Sequence, residues 1–151
     1  MQKKSAESKP DMAVTLIVGM KESDDAIPMG VVNGTTFKAP LTPPILTMKS
    51  ENDTTIMDPK VYGPNSNAVV APYNHTVELK LVSGGGEHPI HLHGTKFQLV
   101  EKMQNASLPH TKESVRENPM RRDTVIIPNG GSVTIRFRAD NPGAWIMHCH
   151  M

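Results

Sequence analysis

The sequence predicts an all-β sandwich, on three observations. Residues 76–82 and 132–138 alternate apolar and polar side chains with the period of two that marks a half-buried strand. The 13 prolines and 11 glycines punctuate short β-branched runs, with no dominance of helix formers. Five of the seven histidines and the only cysteine fall in two short stretches, His88-Pro89-Ile90-His91-Leu92-His93 and His148-Cys149-His150. Extended chain at both would sort these side chains onto two faces.

Taken in order, residues 1–12 are polar and read as a disordered tail ahead of one domain at 13–151. Residues 13–18 are the first strand. Residues 21–30 read as a polar loop turned by Ser23, Asp24 and Asp25, after which Val31, Val32 and Asn33 open a second strand. Pro40, Pro43, Pro44, Pro59 and Pro64 make 39–68 a long surface connection without regular structure. In 76–82, Val77, Leu79 and Leu81 share one face, with Glu78 and Lys80 on the other. Ser83 and Gly84 to Gly86 form a flexible turn that delivers the chain to His88. Residues 97–100 continue the histidine-bearing strand, and 103–120 form another polar loop. Residues 124–127 and 132–138, joined by Pro128-Asn129-Gly130-Gly131, read as a hairpin with Val133, Ile135 and Phe137 inward. After the turn Asp140-Asn141-Pro142-Gly143, residues 144–147 lead into the last cluster, and Trp145 reads as core.

Composition narrows the partners. A net charge of +1 implies no nucleic acid. No apolar run spans a membrane, and the polar start has no signal peptide. Asn33, Asn52, Asn74 and Asn105 nonetheless head Asn-x-Ser/Thr sites, which point to a secreted glycoprotein whose leader lies upstream.

Histidine is the commonest metal ligand. On a strand, His91 and His93 point one way and Leu92 into the core; His148 and His150 likewise share a side, with Cys149 opposite. A thiolate with imidazoles and a weak axial group is the blue-copper arrangement. His88 and Cys149 are candidates for that site, and the paired histidines for separate coppers. Cys149 is joined through its backbone to His148 and His150, a short covalent path for an electron. His75 and His110 sit in polar stretches and read as solvated. Arg121, Arg122 and Asp123 read as an inter-strand ion pair.

His-Pro-x-His-x-His-Gly at 88–94, followed by His-Cys-His after an Asn-Pro-Gly turn, resembles the C-terminal cupredoxin (plastocyanin-like) domain of multicopper oxidases. The stretches 118–124 and 135–143 are most similar to fungal iron-transport ferroxidases, then to laccases, and 31–35 and 61–68 also fit. The resemblance covers residues 13–151. It implies a cupredoxin-like Greek-key β-sandwich, incomplete at its C-terminal end. It implies type 1 copper on His88 and Cys149, type 2 copper on His91, and type 3 copper on His93, His148 and His150. It further implies single electrons taken from ferrous iron or a phenol-like donor and passed to O2, which becomes water. The implied location is extracellular or at the cell surface. The implied partners are the missing oxidase domains and, for ferroxidases, an iron permease. The chain departs from the family pattern where Thr95 replaces a histidine and Gly84 an acidic residue; Glu87 is near but not equivalent. It also ends at Met151, short of a further type 1 histidine, and lacks the first cupredoxin domain. A stand-alone copper-binding or electron-transfer cupredoxin and an inactive fragment are the alternative readings, and the chain alone is expected to be inactive as an oxidase.

Overall fold

A computed structural model describes residues 9–105, 112–114 and 119–150. Its strands are β1 (Met12–Glu22), β2 (Pro28–Val32), β3 (Thr76–Ser83), β4 (His88–Leu92), β5 (Phe97–Met103), β6 (Lys112–Ser114), β7 (Arg121–Arg122), β8 (Thr124–Ile127), β9 (Ser132–Arg138) and β10 (Met147–Cys149). They form two sheets. The larger runs β2-β1-β3-β9-β5-β6, with β7 also paired to β5; the smaller runs β10-β4-β8. The core between them draws on both sheets: Leu81, Phe97, Val133 and Ile135 from the larger, Ile90, Leu92 and Ile127 from the smaller. The alternation in residues 76–82 and 132–138 thus forms strands that bury one side, as expected. Thr134, on the outward side of β9, is also buried, because β9 lies mid-sheet between β3 and β5.

Five local expectations are corrected. The runs 124–127 and 132–138 are not a hairpin: β8 pairs with β4, and β9 with β3 and β5. Their buried residues, Val125 and Ile127 against Val133 and Ile135, come from opposite sheets of the sandwich. The turn between them docks on other loops: Gly131 accepts from the Ser83 N–H at 2.9 Å, and Asn129 Oδ1 from the Gly86 N–H at 3.0 Å. A side chain at Gly131 would strike the Met103 carbonyl. Alternation fixes the buried face of each strand but not its neighbour.

Residues 97–100 do not continue β4. The chain turns at Gly94, whose φ of +73° suits glycine, and β5 joins the other sheet. His93 therefore lies just beyond β4.

Residues 21–30 are half strand, around the turn expected at Ser23, Asp24 and Asp25. β1 pairs with β2 from Val18↔Val32 to Glu22↔Pro28, so Val31 and Val32 close the second strand and Asn33 opens the turn after it. The turn between β1 and β2 is tightened by Ser23, whose N–H donates to the Ile27 carbonyl at 2.9 Å and whose hydroxyl accepts from the Ile27 N–H at 3.0 Å. Polar side chains masked an edge hairpin, where pairing needs only backbone. At the other end, Asp11 caps the Thr76 N–H at 2.7 Å and Met12 already belongs to β1.

The proline-rich connection holds two short helices, α1 (Pro44–Ser50) and α2 (Asp53–Ile56), and a 3-10 turn at Pro59–Tyr62. Prolines open α1 and the 3-10 turn, where a missing N–H costs nothing. Asn52 caps α2 by accepting from the Thr55 N–H at 2.9 Å, and Asp58 caps the 3-10 turn. Tyr62 is buried and donates to the Ile56 carbonyl at 2.8 Å; burial pushes its phenol above its usual value. Within 103–120, expected as loop, β6 pairs with the end of β5.

Phe97 is fully buried at the start of β5, next to the turn that carries His93. Phe97→Ala is expected to cost about 3–5 kcal/mol, the range for an aromatic removed from a packed core. Urea unfolding should show a lower midpoint at unchanged slope.

Candidate metal centre

β4 is the middle strand of the small sheet, and its two faces hold different chemistry. His88, Ile90 and Leu92 are buried on the core side, and Pro89 and His91 only partly. β10 lies antiparallel to β4 with His148 opposite His91 and Cys149 opposite Ile90. Cys149 therefore shares the inner face with His88 and packs against the hydrophobic core. A bond from the His150 N–H to the Pro89 carbonyl, 2.8 Å, extends the pairing past the strand.

On the outer face the imidazoles gather. Ring centroids lie 4.6 Å apart for His91 and His93, 5.2 Å for His93 and His148, and 5.7 Å for His148 and His150. The His91 ring is 5.7 Å from that of His148 and 6.2 Å from that of His150. The two histidine clusters, far apart in sequence, form one patch. Its open side, toward Lys96, Arg121, Asp123 and Asp140, is a cleft of about 570 Å³.

Backbone carbonyls orient three histidine rings, one inside and two outside. His88 Nε2 lies 2.7 Å from the Gly85 carbonyl, which can only accept, so Nε2 carries the hydrogen and Nδ1 is bare in the neutral ring. His91 Nδ1 lies 3.0 Å from the Asp123 carbonyl and 3.0 Å from the Thr124 hydroxyl, so Nδ1–H donates and Nε2 is bare. Asp123 Oδ1 stands 3.8 Å from the same nitrogen and accepts from the Thr124 hydroxyl at 3.1 Å. His148 Nδ1–H donates to the Cys149 carbonyl at 2.9 Å, which leaves its Nε2 bare. That Nε2 faces His93 Nε2 at 3.1 Å, so without a metal the His93 N–H donates to it.

The donor set suits copper. Two imidazole nitrogens bound to one tetrahedral ion by bonds of about 2.0–2.1 Å sit roughly 3.3 Å apart. The His93–His148 separation is close to that, so an ion can replace the shared hydrogen with little movement. A buried imidazole with a bare Nδ1 and a free thiol on the inner face supply the softer pair. Among the described residues, no group of three or more His, Cys, Asp or Glu side chains is placed to hold a metal ion by itself.

Other expected residues fall elsewhere. His110 and Met151 lie outside the described residues. His75 is only partly buried, ahead of β3. Trp145 is not core: it is 48% exposed. Arg121 and Arg122 form β7 beside Phe97 and Gln98, while Asp123 turns to His91. The roles of Gly85, Asp123 and Thr124 as ring-orienting partners were not read from sequence. The pairing of His91 with Thr124 reveals the last two, and only β4–β8 register supplies it, whereas Gly85 meets His88 within its own turn.

The sequence profile of multicopper oxidases matches residues 37–151. The chain belongs to the multicopper oxidase family. It is 40% identical over 148 residues to the iron multicopper oxidase fer1 of Mycosarcoma maydis, covering 94% of this chain and 23% of that protein. It is 42% identical over 125 residues to the iron transport multicopper oxidase fio1 of Schizosaccharomyces pombe, covering 80% of this chain and 20% of that protein. Its fold matches Fet3p, a multicopper oxidase that functions in iron import, with a TM-score of 0.86 and 31% identity over 99% of this chain and 30% of Fet3p. The laccase of Botrytis aclada is a more distant match, with a TM-score of 0.54 and 27% identity over 91% of this chain and 25% of the laccase. The expected cupredoxin-like sandwich is thus the observed one. The match spans between a fifth and a quarter of the length of the two named iron oxidases. Family membership implies copper cofactors. No helix among the described residues is long and apolar enough to cross a membrane.

Orientation of His91 by its neighbours predicts a measurable loss. Thr124→Val removes the hydroxyl and leaves Nδ1 with the Asp123 carbonyl and the more distant Asp123 carboxylate. Loss of such a supporting bond costs about 10–100-fold in metal affinity. Copper titration against a competing chelator should place Thr124→Val toward the lower end of that range, with Thr124→Ser close to the parent.

Proposed function

We propose that this chain is a copper-binding domain of a multicopper oxidase that takes single electrons from ferrous iron and delivers them to O2. The observation that carries the reading is the division of donors across one small sheet: His88 and Cys149 inside, and His91, His93, His148 and His150 outside. The names of the iron oxidase relatives support iron as the donor. Copper supplies one-electron redox chemistry when bound, with soft sulfur favouring its reduced state.

The residues divide the work. His88, its Nε2 held by the Gly85 carbonyl, offers Nδ1 toward the inner site, and Cys149 offers its sulfur; this is the type 1 pair. Cys149 is partly buried against the core, which limits the access of water to the thiolate from that side. His93 and His148 offer their Nε2 atoms to one type 3 ion. His91 is assigned to the type 2 ion and His150 to the second type 3 ion. Both flank the same patch, and their remaining ligands would come from other parts of a longer oxidase. Cys149 is covalently continuous with His148 and His150, so the inner and outer donors are joined by a few bonds. An iron permease as partner and an extracellular or cell-surface location follow from the same reading.

Within a complete oxidase, Cys149→Ser is expected to abolish the blue absorption while copper remains at the outer histidines, because serine supplies no thiolate. Optical spectra with copper counting decide it, and unchanged colour would sink the assignment. The 151-residue chain alone should show no sustained O2 uptake with ferrous iron or a phenol, since it supplies fewer imidazoles than the complete centres need. Restoring the other domains should bring back uptake, faster with ferrous iron than with the phenol. Faster uptake with the phenol would overturn the choice of iron.

A further inference from the structure

Burial does not account for Trp145. The only tryptophan of the chain is half exposed, yet its ring is closely engaged on one side of the histidine patch. It lies against Gly94, where a methyl group would overlap the indole, and against Gly143, where an added Cβ would stand 3.1 Å from Cε2. Its Nε1–H donates to the Asn141 carbonyl at 2.9 Å. The Asn141 side-chain amide in turn donates to the Gly94 carbonyl at 2.7 Å. One residue from each end, the His93 N–H donates to the Ile146 carbonyl at 2.9 Å.

Three of these contacts cross a single joint, namely the indole on Gly94, the Asn141 amide on the Gly94 carbonyl and the His93 N–H on Ile146, and the other two seat the indole within its own segment. On one side is the His93-Gly94 turn that leaves β4; on the other is the segment 141–147 that enters β10. We propose that Trp145 and Asn141 are positioning residues for the His93–His148 pair. They clamp the turn carrying His93 onto the segment carrying His148, so that both Nε2 atoms face one ion. This rests on the reading that the pair takes copper.

The clamp answers a specific weakness. His93 stands beyond the end of β4, and Gly94 next to it is the residue type with most backbone freedom. A donor pair must hold its geometry to within about 0.5 Å to serve one ion. The Ile146 bond fixes one point of the turn and leaves it free to pivot. The indole against Gly94 and the Asn141 amide on its carbonyl add two more points and remove the pivot. A large aromatic at a half-exposed position then has a task that core packing does not give it. Trp145 touches no donor atom in this scheme and acts through the Gly94 backbone.

The test titrates the full chain with Cu(II) against a competing chelator and records the EPR spectrum of the bound ion. His93→Ala and His148→Ala first identify the binding event that uses the pair, each weakening it tenfold or more. Trp145→Ala and Asn141→Ala are then expected to weaken the same event by about tenfold and to change its hyperfine splitting. Trp145→Phe keeps a ring over Gly94 and should lose about threefold or less. On the His93→Ala background, Trp145→Ala should add nothing. Parent affinity and spectrum in both Trp145→Ala and Asn141→Ala would overturn the clamp and leave Trp145 free for another role, such as contact with a neighbouring domain. An equal loss with and without His93 would also overturn it, because the effect would then be general stability. Should Trp145→Ala fail to fold, Asn141→Ala, which keeps the indole, decides. If neither histidine substitution weakens copper binding, the copper assignment of the pair fails, and the clamp with it.

Discussion

The antiparallel register of β10 on β4 is the constraint on which the site depends. With His148 opposite His91 and Cys149 opposite Ile90, imidazoles meet imidazoles outside and sulfur meets the core inside. A slip of one residue would reverse every side chain of β10. Cys149 would then face water and His148 would enter a hydrocarbon interior, where an unpartnered polar ring is costly. Bonds just beyond the ladder, His93 to Ile146 and His150 to Pro89, hold the register at both ends.

That register is useful because β4 is a central strand. β8 on its other side brings Asp123 and Thr124 to His91, so that ring is held from one flank and faces His148 of β10 on the other. The larger sheet supplies the floor, with Leu81, Phe97, Val133 and Ile135 closing the core beneath. The chain reaches these positions by changing sheets at tight turns. Gly94 and Gly131 allow two of these crossings, one by its positive φ and the other by the nearness of the Met103 carbonyl.

Ring orientation comes largely from main-chain oxygens. Gly85, Asp123 and Cys149 each accept from a histidine ring and so determine which nitrogen remains bare. A carbonyl cannot donate, so the tautomer of each neutral ring follows from its contact. The site thus has oriented lone pairs before any ion arrives, and the cost of ordering the rings falls on folding.

Much of this was legible in the sequence because strand alternation is a local property. Period-two patterning in 76–82 and 132–138 and around both histidine clusters identified the all-β class and sorted Cys149 from His148 and His150. Proline content misled at 39–68, where proline opens helical turns as readily as it ends them, and polarity hid the edge hairpin formed by β1 and β2. The partnering of strands was not legible. Residues 124–127 and 132–138 carry the same pattern whether they pair or face each other across a core. Trp145 was misread as core for a related reason: its surroundings are Gly94 and Asn141, and Gly94 lies far away in sequence. Residue identity and backbone period alone say which donors are present and which face of a strand each occupies. Which donors meet, and which ring nitrogen each presents, depends on hydrogen bonds made between distant segments, and no local pattern encodes those.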